Sequence, residues 1–161
     1  VGRIVTGRDR DAAGRPRSAR PRDVTGRPLP RGAVGVPGIP EGLVVPAPEA
    51  LATAQVLLDE GRPFAAHEVL EAVWKAAPAA ERELWRGLAQ LAVGLTHLQR
   101  GNGRGAAALL RRAAERIGTF PPGQPYRVDT AGLAVLARRL AENVDRSGVP
   151  ARPPTVRLTL P

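Results

Sequence analysis

Residues 80–100, AERELWRGLAQLAVGLTHLQR, decide the fold. Leu84, Leu88, Leu91, Leu95 and Leu98 recur at alternating spacings of four and three, which lines them up as one stripe on an α-helix. Gly101 ends the segment. Beside the stripe run Gly87 and Gly94, seven apart, where a second helix can pack closely. Next to them Arg86, Gln90, Val93 and His97 share a mostly polar stripe at i, i+4, i+7 and i+11.

The same period extends outward in both directions. A first helix is expected over 48–60, with Ala50, Leu51, Ala54, Leu57 and Leu58 on one face, and Gly61 closes it. A second runs from Pro63 to about 77, where Pro78 stops it. Downstream, Asn102 caps a fourth helix carrying Ala106, Leu109, Leu110, Ala113 and Ile117, and Gly118 ends it. After a Pro- and Gly-rich loop over 119–128, Asp129 caps a fifth with Leu133, Leu136, Ala137, Leu140 and Val144. Residues 155–160 read as extended and packed along the helices. The fold class is therefore all-α: a compact bundle of about five helices built from helical hairpins. Its divisions are a basic, extended or partly disordered lead-in at 1–47, a helical domain at 48–147 and an extended tail at 148–161.

A shift of forty residues aligns Leu58-Asp59-Glu60-Gly61 with Leu98-Gln99-Arg100-Gly101, and Ala66, Val69 and Leu70 with Ala106, Leu109 and Leu110. Each copy is a helix, a Gly-centred turn and a second helix with a small residue near its start, the logic of tetratricopeptide-type hairpin arrays.

Composition narrows the chemistry. The 161 residues contain 24 Lys+Arg against 15 Asp+Glu, a net charge of +9, and no cysteine or methionine. Disulfides, thiolate metal sites and thiol nucleophiles are excluded. No apolar run is long enough to cross a bilayer, and the first ten residues lack the apolar core of a secretory signal, so no membrane partner and a cytoplasmic setting are expected. Residues 1–48 hold nine Arg against four acids, with eight Gly and eight Pro. That stretch buries little and has no aromatic residue on which a base could stack, so it reads as a passive or intramolecular segment before an RNA or DNA binder.

The residues able to carry chemistry fall on two helices. His67, Glu71 and Trp74 lie within one narrow arc at i, i+4 and i+7, with Glu68 turned further out. If the second and third helices form an antiparallel hairpin, His67, Glu71, Arg86, Gln90 and His97 gather into one partly buried cluster. One reading is a divalent-metal or acid–base site, with His67, Glu71 and His97 as ligands and Glu68 or Gln90 supporting them. The other is a structural network in which Glu71 pairs with Arg86 and the histidines are hydrogen-bonded; that reading is preferred. The zincin helix needs a histidine where Glu71 stands, and the Glu-x-x-His of di-iron bundles is broken by Gly94. Gly101-Asn102-Gly103-Arg104-Gly105 follows a helix rather than a strand and reads as a capped turn, not a phosphate loop.

The string Glu60-Gly61-Arg62-Pro63-Phe64-Ala65-Ala66-His67-Glu68-Val69-Leu70-Glu71-Ala72-Val73-Trp74 resembles the signature of the domain of unknown function 309 family. So do Gly87-Leu88-Ala89-Gln90-Leu91-Ala92-Val93, then His97, Gly101-Asn102 and Gly105-Ala106. The resemblance covers roughly 49–118, and the flanking extensions are similar to those of actinobacterial members. It implies a small all-helical fold with no established activity, and signature positions at His67, Glu68, Glu71, Trp74, Gln90, His97 and Asn102. Ala89 departs from the Ile or Leu the family often has there. The function that follows is a non-enzymatic helical module that binds a protein partner or self-associates. A metal-assisted or acid–base enzyme at His67, Glu71 and His97, with a divalent ion as cofactor, is the alternative; nucleic-acid binding through the Arg-rich lead-in is the third reading.

Overall fold

A computed structural model describes residues 20–40, 42 and 44–161 of the chain. Residues 1–19, 41 and 43, on which part of the reading of the lead-in falls, lie outside the described residues. Five helices follow in order: α1 Ala47–Asp59, α2 Pro63–Ala76, α3 Arg82–Gln99, α4 Gly103–Ile117 and α5 Thr130–Ser147. Each agrees with its expected span to within about two residues. Each helix packs mainly on its neighbours in the chain, α1 on α2, α2 on α3, α3 on α4 and α4 on α5. Antiparallel hairpins joined by short turns leave no other economical arrangement. Among the described residues, no helix is long and apolar enough to cross a membrane.

The leucine stripe of α3 is the centre of the core, with Leu84, Leu88, Leu91, Leu95 and Leu98 all buried together with Trp85. The face beside it meets α4 at close range. A Cβ placed on Gly87 would come within 2.8 Å of Ile117 Cγ1, and one on Gly94 within 2.9 Å of Leu110 Cγ. Glycine in a helix interior costs about 0.5–1 kcal/mol relative to alanine, and here the absent side chains let the two helices touch.

The forty-residue echo is visible in the turns. Arg62 N–H donates to the Leu57 carbonyl and Gly61 N–H to Leu58; forty residues on, Asn102 donates to His97 and Gly101 to Leu98. Gly61 (φ 69°) and Gly101 (φ 75°) both take the left-handed conformation this cap requires, so the two copies share one Schellman turn. The Gln99 side chain ties them together by donating to the Gly61 carbonyl at 2.8 Å.

The C-terminal segment is strapped along the bundle. Val156 and Leu158 are buried in the core. The Gln55 amide on α1 grips the backbone between them, Nε2 donating to the Val156 carbonyl at 2.9 Å and Oε1 accepting from Leu158 N–H at 2.8 Å. On the other side Asp129 N–H donates to the Leu158 carbonyl and Leu160 N–H to Arg127.

Two outcomes follow. Gly94→Val forces a branched side chain into the α3–α4 contact and lowers unfolding free energy by about 1–3 kcal/mol in urea titration. Gln55→Ala leaves two backbone groups of the strap without their partner and costs about 1–3 kcal/mol, with faster hydrogen exchange confined to residues 155–160; uniform exchange across the chain would refute the strap.

Candidate functional site

The polar residues of α2 and α3 separate into two groups. The Gly87/Gly94 face of α3 turns toward α4, so the polar stripe beside it finds its partners there. Gln90 Oε1 accepts from Arg116 Nε at 3.0 Å, and the same guanidinium pairs with Glu83. Asn102 caps α4 by accepting from Gly105 N–H at 3.0 Å, while its Nδ2 faces His97 Nδ1 at 2.8 Å. With its oxygen committed to the cap, the Asn102 amide presents a donor, so His97 Nδ1 is an acceptor and its imidazole is neutral. Burial, and then the nearby Arg100, push the His97 pKa below its ordinary value of 6.5 in the same sense. Gly105 makes room: a Cβ there would lie 2.8 Å from His97 Nδ1. His97, Asn102 and Gln90 thus stitch α3 to α4.

On α2 the pairs run along the helix. His67 Nε2 lies 3.5 Å from Glu71 Oε2, and Lys75 Nζ 3.3 Å from Glu71 Oε1. His67 packs on the Phe64 ring, 5.4 Å between centroids, and its Nδ1 is buried without a well-aligned hydrogen-bond partner among the described residues. Arg86, expected beside Glu71, instead sits 3.7 Å from Glu83 and over the Trp74 ring. Trp85 is fully buried and donates to Glu81. The single cluster of His67, Glu71, Arg86, Gln90 and His97 expected from the hairpin is therefore corrected. Among the described residues no three His, Asp or Glu side chains converge to hold a metal ion, and the α4 contact claims His97 and Gln90.

What His67, Glu68 and Glu71 do share is a cleft of about 700 Å³ between α2 and residues 20–39. Phe64 and Ile39 contribute apolar surface, Arg20, Arg22 and Arg62 positive charge, and Glu68 and Glu71 negative charge. Composition did not reveal this wall, because it depends on how residues 20–39 dock. Asp23 organises the docked loop, its Oδ1 accepting from Thr25 N–H, Thr25 Oγ1 and Arg27 N–H at 2.7–2.9 Å. Those bonds, Thr25 Oγ1 first and Arg27 N–H next, hold the Asp23 carboxyl below its ordinary pKa. Gly26 then lies flat on Phe64, where any Cβ would collide with the ring. The turn string Asp23-Val24-Thr25-Gly26 was the available signal.

Burial pushes the His67 pKa below 6.5, with Glu71, the Phe64 backbone and Glu68 acting the other way and Lys75 adding to the depression. A folded-state value below the unfolded one means the unfolded chain binds the proton first. Stability from this group is complete above the unfolded value and is lost as pH falls through it. Urea titrations should therefore show stability declining as pH falls below about 6.5, and His67→Gln should flatten part of that decline. His97→Gln removes the remainder from its own depressed value; an unchanged slope in both variants would contradict the assignment.

No curated protein and no solved structure matches the chain. Residues 51–109 match the family model described as Domain of unknown function (DUF309), a stretch that runs from α1 into α4 and contains the cleft wall of α2, the leucine stripe and the Asn102 cap. This helical stretch belongs to the domain of unknown function 309 family.

Proposed function

We propose that the chain is a partner-binding helical module whose docking site is the cleft between α2 and residues 20–39. The observation that carries this reading is the make-up of that cleft: a partly apolar floor at Phe64 and Ile39, ringed by guanidinium and carboxylate groups of both signs. An apolar centre with a charged, selective rim is the anatomy of a protein–protein contact. Mixed charge also favours a polypeptide over a polyanion, which Glu68 and Glu71 would repel. The hairpin echo supports the same reading, since stacked helical hairpins bury one face and leave another for binding.

A second reading, acid–base chemistry at His67, is favoured by one observation: a partly buried imidazole with a lowered pKa stands beside the Glu71 carboxylate on the cleft wall.

Glu68→Arg separates the possibilities. It reverses a charge at the cleft and alters no core residue. Sedimentation velocity and quantitative affinity purification should show a stoichiometric partner, or a second copy of the chain, bound by the parent protein and lost from Glu68→Arg. If neither the bound proteins nor the sedimentation coefficient differ between the two, the partner-binding reading fails. An activity abolished by His67→Gln with partner binding intact would decide for the second reading.

A further inference from the structure

The strap at residues 155–160 is held in the way a bound peptide is held. Val156 and Leu158 are buried while Thr155, Arg157 and Thr159 are exposed, the alternation of an extended strand. The bonds from Gln55, Asp129 and Arg127 all go to its main chain. On the outer side Arg157 Nη1 lies 3.4 Å from Asp59 Oδ2 of α1, so the rim of the groove and the strap carry opposite charges. Main-chain bonds combined with sockets for alternate side chains are how a protein recognises an added extended segment. Nothing in that recognition requires the segment to belong to the same chain, and a second copy carries an identical one.

The arm that leads to the strap is held far less. Residues 149–154 make no hydrogen bond with a described residue, and Pro150, Ala151, Arg152 and Pro153 are exposed. Beneath the arm a cavity of about 510 Å³ opens onto Leu58, Leu95 and Leu98, so the arm spans the body without packing closely on it. It begins at Gly148, whose φ of 80° turns the chain off α5. Pro150, Pro153 and Pro154 fix their own φ and bias the residues before them toward extended backbone. A free proline-rich segment is an extended, semi-rigid spacer. In the seated form, however, the arm bends at Val149, Ala151 and Arg152. Closing the strap on its own body works against the shape the prolines prefer, and straightening the arm carries the strap outward from Gly148.

We propose that the groove between α1 and residues 127–129 is a docking site for residues 155–160 of a second copy of the chain, so that two copies exchange straps across straightened proline arms. Exchange of an identical element is a low-cost route to a dimer, because every contact of the closed monomer is made again between the two chains. The strap contacts being the same in both forms, the arm sets the balance between them. The exchange uses no residue that lines the cleft at α2 and goes beyond the reading given to that cleft.

The test refolds the full chain from urea at low and high protein concentration and reads the product by sedimentation velocity. A dimer share that rises with concentration is expected. Pro153→Gly combined with Pro154→Gly, on the exposed arm, lets the strap return to its own body and lowers the dimer association constant about tenfold. Leu158→Asp leaves the strap unable to seat in either chain and abolishes the dimer. The natural chain has no cysteine, so the seating is read directly: differently tagged Asp59→Cys and Arg157→Cys chains, refolded together, should be joined by a short bis-maleimide. Arg112→Cys on α4, paired with Arg157→Cys, gives the background. A monomer at every concentration, a dimer unchanged by the two glycines, or cross-linking no greater than that background overturns the exchange. A chain that stays monomeric yet takes up a free peptide of residues 155–161 has a groove for a foreign segment, which also overturns it. Glu68→Arg leaves the exchanged dimer intact; a dimer lost in that variant belongs to the cleft and overturns the strap as its source.

Discussion

At Gly87 and Gly94 helix α3 has no side chains between its backbone and α4, and Leu110 and Ile117 fill the space that results. Close approach removes water from both helix faces and brings many atoms into van der Waals range, each contact small and the sum large. It also fixes everything alongside. Arg116 is carried to Gln90 and Glu83, and the start of α4 is brought under His97, where Asn102 spans the turn. With one face of α3 committed to α4, its leucine stripe fills the core, α2 packs against it from the other side, and α2 is left with an outward face for the cleft.

Charge is divided unevenly along this scaffold. Residues 49–102 carry five basic and seven acidic side chains, whereas residues 103–147 carry eight arginines and four acids. Residues 20–39, basic overall, dock on the acid-rich part, at α2 and the end of α3. Exposed charge pairs contribute little individually, so the docking rests on short-range contacts: Phe64 beneath Gly26, and guanidinium groups on carbonyl oxygens. Long-range charge favours that side of the molecule; the ring and the carbonyls fix the position.

Helix positions were legible because they depend on local period and local caps. The α3 leucines, the Asn102 and Asp129 caps and the glycine stops each act within a few residues, and all of them stand where the pattern puts them. The candidate site was legible only in part. The arcs on each helix were read correctly, but which arcs face each other is decided by a helix crossing, a property of two segments together. Gly87 and Gly94 lie beside the same polar stripe that holds Gln90 and His97, and glycines draw a neighbouring helix toward themselves. That neighbour is α4 rather than α2, so His97 was taken away from His67. The place where residues 20–39 dock was not legible for a related reason: the contact between Thr25 and Arg100 spans 75 positions, and nothing in the local composition encodes so distant a pairing.

The grip of Gln55 on the strap has a consequence for the order in which the molecule is made. Gln55 lies on the first helix and Leu158 about a hundred residues later, while the helices pack mainly on their neighbours in the chain. Domains generally take shape from the amino-terminal end as they leave the ribosome, so the helical hairpins can close one after another during synthesis. The face of α1 that receives the strap then stays wet and unsatisfied until residue 158 has emerged. Closure of that last, most distant contact marks the moment at which the two ends of the helical stack are joined, and translation sets its timing.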